Sequence, residues 1–193
     1  MTFEEIFAID TSNMYSLIKK FPDQVDEAIK IGNAAKVKLN VHGIENIVLN
    51  GLGGSAIGGD LLKSYLAGEL SVPFLVNRHY TLPRFVGKNS LVIVSSYSGN
   101  TEETTAAFKE AVKRGAKILC ISSGGEVEKL ARKKRKPMIK IPGGLPPRAA
   151  LGYSFFPLLI TLGKLGLIRN KSREINEALA LLRKKRGGGY LVL

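Results

Sequence analysis

Ser95, Ser96, Ser98, Asn100 and Thr101 crowd hydroxyl and amide side chains into the stretch LVIVSSYSGNTEET, from Leu91 to Thr104, with Gly99 where the backbone must turn. The run before them, Leu91 to Val94, is uninterrupted and apolar, as expected of a strand buried on both faces of a parallel sheet. Glu102 and Glu103 open a helix and suit its positive dipole end. A strand feeding a hydroxyl-rich turn into a helix N-terminus makes an anion site, because free backbone N–H groups point outward there. The chemistry predicted is a phosphate clamp. A plainer reading also fits: Asn100 and Glu103 have capping-box spacing, which would make the turn a helix start and nothing more.

A second loop favours the clamp. Gly51-Leu52-Gly53-Gly54-Ser55-Ala56 follows another apolar run and satisfies the G-x-G-x-x-A form of a dinucleotide fingerprint. A nicotinamide-binding domain needs an acidic residue closing the second strand to hold the ribose. Asn77, Arg78 and His79 stand there instead, and Arg78 suits only a 2′-phosphate. A compact phosphate monoester held by Gly53, Gly54, Ser55, Ser96, Ser98 and Thr101 uses both loops and is the preferred reading.

The elements that carry these loops alternate. Strands are predicted over 46–52, 73–77, 91–96, 117–121 and 138–141, and helices from the glycine loop through Tyr65, over 101–114 and over 126–134. This spacing predicts an α/β fold, a doubly wound five-stranded parallel sheet with helices on both faces, whose ligands bind outside the strands' carboxyl ends. Extra helices flank it. Residues 1–45 form a helical lead-in broken at Pro22, 46–145 the phosphate-binding domain, 146–186 a helical extension and 187–193 an unpatterned tail, GGGYLVL.

At 193 residues the chain holds one ordinary domain. A single cysteine, Cys120, and a polar, acidic start without an apolar leader fit a reducing, cytoplasmic setting. The net charge of +13 attracts anions, but much of it lies in the runs 132–136 and 183–186, read as a helix end and a C-terminal tail. No aromatic residue interleaves with them, so nucleic acid is not the expected partner. The apolar stretch 151–168 is interrupted by Gly152, Pro157, Gly163, Lys164 and Gly166, so it is expected to pack on protein rather than cross a membrane. Its apolar surface suggests a homodimer.

GLGGSAIGGD, SSYSGNTEET and Pro146-Pro147-Arg148-Ala149-Ala150-Leu151, in that order, resemble the N-terminal half of the bifunctional phosphoglucose/phosphomannose isomerases, built on sugar isomerase (SIS) domains. The resemblance implies a flavodoxin-like phosphosugar-binding fold and an aldose–ketose isomerisation of hexose 6-phosphates through a cis-enediol, with no cofactor or metal. It places the phosphate grip at the clamp residues and gives Arg148 the stabilisation of the enediolate, a role that a two-donor guanidinium suits. It also implies a base glutamate and a ring-opening histidine in a second SIS domain, so neither His42 nor His79 is expected to be catalytic. The expected alternatives are a stand-alone sugar-phosphate module without turnover, further off a sugar-phosphate-responsive regulator, for which the lead-in supplies only one plausible helix, and last an NADP-binding Rossmann domain.

Overall fold

The computed structural model describes residues 8–187. Five strands form one parallel sheet in the order β2-β1-β3-β4-β5. They are β1 (Asn46–Asn50), β2 (Phe74–Asn77), β3 (Ser90–Ser96), β4 (Lys117–Ser122) and β5 (Met138–Lys140). The central strand β3 is buried along its whole length, which is why its sequence runs apolar without alternation.

Helices cover both faces. On one side α2 (Phe21–Ala34), α3 (Gly53–Tyr65) and α6 (Leu151–Lys164) pack over Ile47, Leu49, Leu91, Ile93, Leu119 and Ile121. On the other, α4 (Glu102–Lys113) and α5 (Gly125–Lys133) cover Val48, Val92, Val94, Ile118 and Cys120. The partition follows strand parity, since alternate residues of each strand face opposite sides. The strand order reverses direction between β1 and β3, so α3 leaves toward one face and α4 toward the other. A crevice opens between their N-termini.

Several expectations shift in detail. Among the described residues the lead-in includes two helices separated at Lys20, α1 (Met14–Lys19) and α2, with Pro22 in the first turn of the second, where a missing N–H costs nothing. The capping box does not form: Thr101 is the N-cap of α4 and makes no side-chain cap bond. The basic run 183–186 is not a tail but lies within α7 (Ser172–Gly187), where Arg183 and Arg186 reach Asp26 (3.3 Å) and Asp23 (2.6 Å) on α2. Residues 188–193 of the expected tail lie outside the described residues.

Among the described residues no helix is long and apolar enough to cross a membrane. Helix α6 is covered by its own chain, with Tyr153, Phe156, Leu158, Leu159 and Leu162 all buried. Its apolar character is therefore accounted for internally and does not argue for a dimer.

Candidate functional site at the β1–β3 crevice

Strands β1 and β3 pair in register, Asn50 beside Val94, and β3 runs on to Ser96, past the end of β1. The approach is close enough that a Cβ on Gly51 would meet the Ser95 carbonyl at 2.9 Å. Beyond β1 the chain turns through Leu52 and Gly53, which takes a left-handed φ of 50°, into α3. Ser55 is buried, and its Oγ accepts the Tyr97 N–H at 3.1 Å. That bond ties the glycine turn to the hydroxyl turn and leaves the Ser55 hydroxyl proton to donate elsewhere.

The turn after β3 is organised by its own hydroxyls. Ser96 Oγ lies 3.0 Å from Thr101 Oγ1 and accepts the Gly99 N–H at 3.1 Å, while Ser98 Oγ accepts the Asn100 N–H at 3.2 Å. Ser96 is buried and latches the turn; Ser98 is exposed and Thr101 half-buried at the mouth of the crevice. Gly99 has φ 76°, and a Cβ there would lie 1.8 Å from the Gly124 carbonyl, so a side chain is excluded. Asn100, read from sequence as a cap for its own helix, instead accepts the Glu126 N–H at 3.0 Å in the first turn of α5. Ser123, at the tip of β4, sends both its N–H (3.0 Å) and its hydroxyl (2.6 Å) to the Tyr97 carbonyl.

The loop carrying Arg148 arrives at the same place. A Cβ on Gly54 would stand 2.6 Å from the Pro147 carbonyl and 3.7 Å from the Arg148 nitrogen. The loop is held from two sides. Tyr97 Oη accepts the Leu145 N–H at 3.0 Å, and Gln24, buried on α2, donates to the Ala149 carbonyl (2.7 Å) and accepts the Gly152 N–H (2.8 Å). The expected helix start near Ala149 is a short 3-10 turn, Pro147–Ala149, ahead of α6. The Arg148 side chain is exposed and has no hydrogen bond or ion pair with any described residue.

Gly53, Gly54, Ser55, Ser96, Ser98, Thr101 and Arg148 are thus gathered on three adjoining loops. Tyr97, Gln24 and Ser123, which organise those loops, were not singled out from sequence. Ser122-Ser123-Gly124-Gly125 at the end of β4 repeats the hydroxyl-and-glycine pattern and is the signal that could have found Ser123.

Around the rim, Glu102 accepts a hydrogen bond from Tyr80 Oη at 3.3 Å. The charge of Glu103, with partial burial and Glu102, pushes the Tyr80 phenol above its ordinary pKa. His79 sits beyond β2 and engages Asn50 and Asn77 through its carbonyl, whereas His42 lies before β1. Arg78, the only candidate for a nucleotide 2′-phosphate, is ion-paired with Asp60.

A doubly wound parallel sheet with two helix N-termini at its switch point defines a class of ligand-binding α/β domain. The SIS domain model matches residues 41–138, and the chain belongs to that family. It is 46% identical over 169 residues to a bifunctional phosphoglucose/phosphomannose isomerase of Caldicellulosiruptor bescii, covering 88% of this chain and 50% of that protein. A D-glucosamine-6-phosphate 4-epimerase of Sulfolobus acidocaldarius is 36% identical over 121 residues, 62% of this chain and 38% of that protein. The fold also matches the tagatose-6-phosphate ketose/aldose isomerase of Escherichia coli, with TM-score 0.67, 18% identity and coverage of 88% and 52% of the two chains. The C-terminal domain of the Francisella tularensis glucosamine-fructose-6-phosphate aminotransferase gives TM-score 0.64, 19% identity and coverage of 93% and 55%. The chain spans about half the length of the curated relatives it matches.

Proposed function

We propose that this chain is the phosphosugar-binding SIS domain of an aldose–ketose isomerase acting on hexose 6-phosphates, of the phosphoglucose/phosphomannose type. The observation that carries the reading is the meeting of three loops: Ser55 bonded to Tyr97, and Gly54 against Pro147 beside Arg148. In it, residues 46–145 bind the phosphate, 146–186 bring the arginine, and 1–45 buttress that loop through Gln24.

The phosphate is held by backbone N–H groups at Gly53 and Gly54, by the hydroxyls of Ser55, Ser98 and Thr101, and by the turn that Ser96 latches. Phosphate oxygens accept from N–H and O–H donors at two helix N-termini, an arrangement favoured by both dipoles. Arg148, uncommitted within the chain, stabilises the negative oxygen that forms when a proton leaves the carbon beside a carbonyl. Proton transfer between C1 and C2 needs a base within hydrogen-bond reach. Glu102 and Glu103 serve the α4 dipole and Tyr80, so the base comes from a second unit, as does the group that opens the sugar ring. The working enzyme is a homodimer of the cytoplasm.

A second reading, a sugar-phosphate-binding module without turnover, is in keeping with Glu102, beside the crevice, being engaged by Tyr80. Assaying the purified chain for conversion of glucose 6-phosphate or mannose 6-phosphate to fructose 6-phosphate, beside thermal shift with the same esters, separates the two. Turnover supports the isomerase, stabilisation without turnover supports the module, and the absence of both contradicts both readings.

A further inference from the structure

We propose that the outer edge of β5 is a docking strand for an extended segment of another protein in which acidic and apolar residues alternate. Among the described residues β5 pairs with β4 alone and ends the sheet. The Cys120 N–H donates to the Pro137 carbonyl at 3.0 Å and the Ile141 N–H to the Ser122 carbonyl at 3.1 Å, so Pro137, Ile139 and Ile141 turn their backbone groups toward β4. The N–H and C=O groups of Met138 and Lys140 therefore point outward. An unpaired row of this kind is a template for a further strand.

Side chains of an added strand fall alternately on the two faces of the sheet, and here the faces differ. On the α2 side lies a hollow of about 250 Å³ walled by Ile31, Ala34, Ala35 and Ile139. On the α5 side a hollow of about 390 Å³ is ringed by Arg132, Arg135, Lys136 and Lys140, with the Glu128 carboxylate among them. Glu128 is already engaged by Lys140 and, at 2.9 Å, by Arg132. Arg135 and Lys136 have no carboxylate partner among the described residues. Apolar on one face and cationic on the other, the edge is complementary to a strand with apolar residues at alternate positions and acidic ones between them.

Arg135 distinguishes this surface from an ordinary solvated basic run. Helices α4, α5 and α6 end in the same turn: the Ala116 N–H reaches the Ala111 carbonyl at 3.0 Å, Lys136 reaches Ala131 at 2.8 Å, and Leu167 reaches Leu162 at 3.1 Å. The residue before each donor is left-handed, Gly115 with φ 71°, Gly166 with φ 75° and Arg135 with φ 51°. A side chain is strained in that conformation and glycine is not. Of the three turns only that of α5 bears the strain, and the residue bearing it is a guanidinium on the wall of the basic hollow. A compact anion uses neither the outward backbone groups nor the apolar hollow, so the occupant is a strand. β4 lies between this edge and the crevice strands, and the inference is independent of the proposed function.

Fluorescence anisotropy of a labelled peptide of alternating glutamate and valine, titrated with the full chain, tests this. Saturable binding is expected at low salt, weakening as salt screens the charges. Methylating the valine amides in one peptide and the glutamate amides in another blocks one edge of each and keeps every charge. One of the two should bind about tenfold more weakly, through its lost backbone bonds, and the other should bind like the parent. Arg135→Gly should weaken binding about tenfold while raising the melting temperature by about 2–4 °C as the strain is relieved. Those opposite signs are what a merely structural arginine does not give. The proposal is overturned by the absence of saturable binding, by equal binding of all three peptides, by full-strength binding to Arg135→Gly or a melting temperature that does not rise, or by displacement of the peptide by inorganic triphosphate or polyuridylate at equal charge.

Discussion

The turns that follow β1 and β3 border one crevice and are built by opposite means. The β1 turn works through missing side chains: Gly51 lets it lie on Ser95, and Gly54 lets Pro147 and Arg148 approach. The β3 turn works through side chains it has, with Ser96, Thr101 and Ser98 bonded within the turn and Asn100 gripping its neighbour α5. The glycine turn is therefore shaped by what touches it from outside, and the hydroxyl turn largely by itself. A substitution in the first should disturb distant chain; one in the second should act locally.

Gly54→Ala should have the largest effect. Its Cβ meets backbone rather than a flexible side chain, so the Pro147–Ala149 turn must move. Overpacking of this kind costs ~1–3 kcal/mol, and displacing Arg148 by an ångström would lower phosphosugar turnover in a complete enzyme about 100-fold. Denaturant melts and steady-state kinetics measure the two. A Gly54→Ala protein with normal stability and activity would break the contrast between the turns.

Arg148→Ala should follow, with the opposite signature. The exposed side chain packs on nothing that fixes the fold, so stability should stay within ~0.5 kcal/mol. Turnover should drop at least about tenfold through loss of a charge-assisted bond, and more in kcat than in affinity for the sugar ester.

The two serines sharpen the comparison at lower amplitude. Ser55→Ala leaves the Tyr97 N–H without its acceptor and should cost ~1–3 kcal/mol, because that bond bridges the turns. Ser98→Ala, at an exposed position, should change stability by less than ~0.5 kcal/mol while still weakening phosphosugar binding. Equal stability losses would mean that the hydroxyl turn is not self-contained.

The smallest effect lies outside both turns. Glu110 accepts the Leu82 N–H at 2.7 Å and pairs with Arg114 at 2.6 Å, pinning the 78–86 segment to α4. The Leu82 N–H first, then Arg114, hold its carboxyl below the ordinary value of 4.5. A depressed carboxylate contributes stability above the unfolded pKa and loses it as pH falls through the folded one. Glu110→Gln should therefore flatten part of the acid limb of the stability curve and leave the crevice unchanged.

The sheet was legible because its strands are buried on both faces and read as apolar runs, and the two turns because glycine and hydroxyl residues follow those runs directly. The roles within the turns were less so. Ser96 and Ser98 look alike in composition, yet Ser96 continues the inward parity of Val92 and Val94, and Ser98 lies past the strand end. Gln24 to Ala149 and Tyr97 to Leu145 join residues far apart in the chain, and neither leaves a local pattern. The capping box failed because Asn100 found a partner on α5, a competition that local spacing cannot express.

Calorimetric titration of the chain with glucose 6-phosphate and, separately, with glucose tests most directly whether the crevice grips the phosphate. Saturable binding of the ester, no measurable heat with the free sugar and a clear loss of affinity in Ser98→Ala are expected. Equal binding of both sugars, or an ester affinity indifferent to Ser98 and Arg148 alike, would contradict a phosphate site between these strand tips.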